Sequence, residues 1–73
     1  MKKAYMLEDL DCANCAAKME RAIAALEGVQ RVTVSFMAQK MVLEADDAVF
    51  DAVLEQAIKC VKSVEPDCRV IVK

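Results

Sequence analysis

Cys12 and Cys15 are separated by two residues in the run Asp11-Cys12-Ala13-Asn14-Cys15. That spacing lets both sulfurs converge on one point, and a thiolate pair selects soft ions such as Cu(I), Zn(II), Cd(II) and Pb(II) over Mg(II) and Ca(II). The same spacing serves disulfide exchange and one half of a zinc ribbon, so the surroundings have to discriminate. A ribbon needs a second close pair, whereas Cys60 and Cys68 lie eight positions apart. A thioredoxin-like site needs a longer chain and a different order of strands and helices. Histidine is absent, which leaves sulfur and oxygen as the ligands of any transition-metal site.

Carboxylates accompany the pair. Asp11 directly precedes Cys12 and suits either an oxygen ligand or the anion favoured at a helix start. Glu8 and Asp9 read as solvated charges that raise the local cation concentration. Glu65 and Asp67, on either side of Pro66, are candidates for a second carboxylate ligand. Cys60 and Cys68 read as small buried hydrophobes, with a further ligand or a mutual disulfide as the alternative. The methionines, among them Met6, Met19 and Met41, read as packing residues rather than thioether ligands.

The chain that must position these groups has 73 residues, 58% of them apolar and 30% charged, which excludes disorder and allows one small core. We therefore read residues 1–73 as one domain without an elaborate catalytic cleft. Twelve acidic against ten basic residues give a net charge of -2 with no cationic cluster, so nucleic acid is a poor partner. No stretch approaches the about 20 apolar residues of a membrane span, and Met1-Lys2-Lys3 does not lead into a signal-peptide core. The expected setting is cytoplasmic, free-standing or as the cytosolic part of a membrane transporter.

Residues 3–10 read as a strand with Ala4 and Met6 on one face and Tyr5 and Leu7 on the other. From Asn14 to Glu27 the apolar residues Cys15, Ala16, Met19, Ile23 and Leu26 recur at helical spacing, and Gly28 follows as a left-handed cap. The thiols thus sit at a helix N-terminus, whose partial positive charge favours thiolate. Val29–Phe36 alternates as a strand and pairs with Met41–Ala45 across a turn at residues 38–40. Asp46 and Asp47 offer an N-cap to a second helix with a stripe of Phe50, Val53, Leu54, Ala57, Ile58 and Val61. Pro66 makes residues 64–67 a loop, and Cys68–Lys73 closes the chain as a strand. Strand, helix, strand, strand, helix, strand implies an α+β ferredoxin-like sandwich: a four-stranded antiparallel sheet with both helices on one face. Its directions bring the cysteine loop, the hairpin turn and the Ser63–Asp67 loop to one end.

With its Leu10-Asp11-Cys12-Ala13-Asn14-Cys15-Ala16 segment in that frame, the chain resembles the heavy-metal-associated domain family, whose members are copper chaperones and N-terminal cytosolic domains of heavy-metal-transporting P-type ATPases. The resemblance implies a metal held by Cys12 and Cys15 and passed by ligand exchange to an ATPase body or another metal-carrying protein. Copper members usually read Gly-Met-Thr or Gly-Met-Ser before the first cysteine, where this chain has Asp9-Leu10-Asp11. Leu10 matches the family's buried apolar residue. Asp11 resembles the zinc, cadmium and lead branch, in which this Asp joins the two cysteines as a ligand.

Charge supports that branch. Cu(I) with two thiolates already carries -1 and needs no third bond, whereas a divalent ion with two thiolates is neutral and takes about four ligands. The expectation is a metal-binding domain, not an enzyme, in which Asp11, Cys12 and Cys15 hold one Zn(II), Cd(II) or Pb(II) ion, with Cu(I) as the alternative. Disulfide exchange is the competing chemistry. Uptake of one metal ion per reduced chain, with no turnover of a disulfide substrate, separates the two.

Overall fold

The computed structural model describes residues 1–72, in the order β1 (Lys2–Glu8), α1 (Ala13–Ala24), β2 (Val29–Ser35), β3 (Lys40–Ala45), α2 (Phe50–Val64) and β4 (Arg69–Ile71). The strands form one antiparallel sheet in the order β2-β3-β1-β4. Tyr5 faces Met41, which faces Val34, an apolar row across three strands, and Leu43 faces Val32 in a second row that ends on the exposed Lys3 of β1. Tyr5, Leu7, Val32, Val34, Met41 and Leu43 are all buried, while Ala4 and Met6, at the opposite parity of β1, are exposed. One covered face requires both helices on one side. Ala16, Met19 and Ile23 from α1 and Phe50, Val53, Ala57 and Val61 from α2 complete that core. This is the ferredoxin-like α+β sandwich that the element order implies.

Several local readings need correction. Met6 is not a packing residue: it lies 53% exposed on the outer face because Tyr5 and Leu7 take the inner one, while Met19 and Met41 are fully buried. Helix α1 ends at Ala24 instead of Glu27. Leu26 and Val29 then donate to the Ile23 and Leu26 carbonyls, and Gly28, at φ 95, supplies the left-handed step inside this turn rather than capping the helix directly. Asp46 and Asp47 do not cap α2. The cap position is Val49, with no side-chain bond, and the backbone turn bonds from Val49 and Phe50 to the Asp46 and Asp47 carbonyls take its place. The Asp47 carboxylate pairs with the Met1 ammonium. The last strand is shorter than residues 68–73 suggested, and Lys73 lies outside the described residues.

Gly28 makes a testable point about this frame. A Cβ there would stand 3.0 Å from Val53 Cγ2 on a backbone that L residues rarely adopt. Gly28→Ala is expected to lower the unfolding free energy by about 1–2 kcal/mol, the cost of a left-handed non-glycine residue, as a shift in the urea midpoint with unchanged m-value.

Candidate metal centre

Strand β1 stops at Glu8, and Asp9 turns the chain with a left-handed φ of 65. Aspartate is among the few residues that tolerate this. Leu10 then drops into the core with 2% of its surface exposed and pins the loop from below. Its backbone is held as well: Gln39 Oε1 accepts from Leu10 N at 3.1 Å, and Gln39 Nε2 donates to Leu10 O at 2.6 Å. Gln39 sits in the β2–β3 turn, and its carbonyl accepts from Leu7 N at 2.8 Å. The turn and the thiol loop are therefore one hydrogen-bonded unit.

Cys12 is the N-cap of α1, in extended backbone, and its sulfur accepts from Cys15 N at 3.4 Å. The sulfur fills the place that a serine or aspartate oxygen normally takes, so Asp11 is not the cap. Both thiols are half-buried and free, and Asp11 is exposed. The helix start acts on the two thiols unequally. Cys12 is held below the usual thiol range, first by the Cys15 N–H, then by the Cys15 thiol, with the Asn14 N–H and Lys18 assisting. Cys15 is pushed above it, first because it donates to Cys12, then by desolvation and by the charges of Cys12 and Glu65. The favoured thiolate is Cys12.

From the other side the end of α2 approaches. Glu65 follows its last residue, tied by Glu65 N to Val61 O and by Cys68 N to Glu65 O. Its Oε2 lies 3.9 Å from Cys15 Sγ, an alternative acceptor to Cys12 for the single Cys15 thiol proton. Cys68 is fully buried; burial raises its pKa, and the charges of Glu65, Asp9 and Asp11 raise it further. Cys60 is half-buried against the core, and both are free thiols. Both take the packing role expected of them, and the mutual disulfide is absent. Among the described residues no three histidine, cysteine, aspartate or glutamate side chains converge as a ready-made ion site. Cys15 lies beside Cys12 on one hand and Glu65 on the other, without the three closing on one point, and Asp11 is exposed next to Cys12 in the chain. Gln39 was not among the site candidates; a glutamine in a hairpin turn carries no sequence signal for holding a loop twenty-nine positions away.

A ferredoxin-like sandwich presenting a paired-thiol loop at one end has the form of a small metal-binding module. A model of the heavy-metal-associated domain matches residues 4–65, and the chain belongs to that family. The cadmium, zinc and cobalt-transporting ATPase of Bacillus subtilis is 35% identical over 66 residues, which are 90% of this chain and 9% of that protein. The zinc/cadmium/lead-transporting P-type ATPase of Escherichia coli is 40% identical over 45 residues, 62% of this chain and 6% of that protein. The chain thus spans less than a tenth of the length of these curated relatives. The solved N-terminal domain of the copper(I) ATPase PacS superposes with a TM-score of 0.76 at 27% identity, covering 100% of this chain and 93% of that one. Among the described residues no helix is long and apolar enough to cross a membrane.

The unequal thiols are directly measurable. In metal-free, reduced protein Cys12 is expected to be alkylated by iodoacetamide ahead of Cys15. Its rate should reach the plateau at lower pH, since only the thiolate reacts. Peptide mass spectrometry across a pH series reads both sites, and equal profiles would contradict the assignment.

Proposed function

We propose that this chain is a heavy-metal-associated module of the zinc, cadmium and lead type. It takes up one Zn(II), Cd(II) or Pb(II) ion through Cys12 and Cys15, with Asp11 as oxygen ligand. It then passes the ion by ligand exchange to the body of a P-type ATPase or to another metal-carrying protein. Residues 1–73 form one such domain, working on the cytoplasmic side. The observation that carries the reading is the Asp11-Cys12-x-x-Cys15 loop at the start of α1, where one thiol is already biased toward thiolate.

A divalent ion on two thiolates is neutral and still short of ligands, which favours an adjacent carboxylate. Asp11, exposed and directly before Cys12 in the chain, is the first candidate; Glu65, beside Cys15, is the second. An open position left for water or a partner's ligand permits exchange instead of permanent retention. The similarity to the copper(I) ATPase domain favours one alternative, linear Cu(I) binding by the two thiolates alone.

Titration of the reduced protein with Cu(I), Zn(II), Cd(II) and Pb(II) tests the proposal. One divalent ion per chain is expected, with binding abolished in Cys12→Ser and Cys15→Ser. Asp11→Ala should weaken Cd(II) at least tenfold, about 1.4 kcal/mol, and leave Cu(I) unchanged. The parallel Glu65→Gln variant decides which carboxylate serves. Tight Cu(I) binding with negligible Zn(II) and Cd(II) binding would overturn the metal assignment.

A further inference from the structure

We infer that Gln39 is the positioning residue of the metal loop, an inference that rests on the proposed metal-binding function. Gln39 has a φ of 52, a left-handed conformation in which glycine or asparagine is the unstrained choice. The turn alone gives no reason for glutamine there. The reason lies in its side chain: Oε1 accepts from Leu10 N at 3.1 Å, while Nε2 donates to Leu10 O at 2.6 Å and to Phe36 O at 2.9 Å. Two carbonyls meet the donor end of the amide and one N–H meets the acceptor end, so each polar end has the partner its chemistry requires.

Leu10 is held at both its polar groups and, through its buried side chain, by the core. Cys12 lies two residues further on. The clamp orders Asp9 to Asp11 before any ion arrives, so the entropy of fixing the loop is lost on folding and not again on binding. Few replacements keep this arrangement. Asparagine is one methylene shorter, and glutamate sets a carboxylate against two carbonyl oxygens. Gln39 would therefore set how tightly and how long the loop retains its ion without touching the ion.

Gln39→Gly and Gln39→Glu separate positioning from mere structure. Glycine relieves the left-handed backbone and keeps its N–H and C=O bonds but removes the clamp; glutamate keeps an acceptor for Leu10 N and loses both donors. Val53→Ala, at the Gly28 end of the molecule, serves as a destabilised control. The probe is Cd(II) alone, followed by its thiolate-to-cadmium charge-transfer absorption in chelator competition. Both Gln39 variants are expected to bind Cd(II) about tenfold more weakly and release it faster, while Val53→Ala lowers the melting temperature and keeps wild-type affinity. In metal-free protein, the Leu10 amide should exchange with solvent faster in Gln39→Gly than in wild type. Folded Gln39 variants with wild-type affinity and release rate, or unchanged Leu10 exchange, would overturn the inference. Absence of Cd(II) binding by the wild type would instead overturn the metal-binding reading, and Leu10 exchange would still judge the clamp.

Discussion

Tyr5, Leu7, Val32, Val34, Met41 and Leu43 project from one face of the sheet, and covering that face holds both helices in place. The outer face, with Ala4 and Met6, stays in contact with solvent. Because α1 and α2 share one side, the connection into α1, the hairpin turn and the exit from α2 meet at one end of the molecule. The hydrogen bonds from Gln39 to Leu10 and from Cys15 to Glu65 are consequences of that meeting. Removing the common apolar face would leave the thiol loop with no neighbours to shape it.

Within that end, the helix start performs two tasks with one geometry. It satisfies a free backbone N–H by means of a sulfur, and in doing so it makes the two thiols inequivalent. The Cys12 thiol is shifted toward thiolate and the Cys15 thiol away from it, so the first sulfur of the pair is the more readily deprotonated of the two. The exposed Asp11 and Glu65, beside Cys15, add negative charge near the thiols. That field draws cations in general; the sulfur pair selects among them.

Much of this was legible from residue spacing. The period-2 and period-3.6 patterns of β1, α1, β2 and α2 identify the elements, because burying a stripe requires that residues recur with the geometry of the helix or strand. Their order leaves the ferredoxin-like sandwich as the economical solution, and the Cys12–Cys15 spacing marks the chemistry. Boundaries were less legible. Helix α1 stops two residues before its apolar stripe does, and α2 starts without a side-chain cap from Asp46 or Asp47. Local propensity yields where a backbone turn satisfies the same N–H groups.

The amino-acid sequence by itself determined the elements, the fold class, the thiol pair and the family, since each depends on residues close together along the chain or on a repeating period. Which face of β1 is buried, which thiol is favoured as thiolate, which carboxylate stands beside the sulfurs and what holds their loop were decided by the tertiary structure. Those features depend on atoms far apart in sequence: Leu10 against Gln39, Cys15 against Glu65, Tyr5 against Met41. Hydrogen bonding and electrostatics act across a few ångströms of space, and only the completed fold sets those distances.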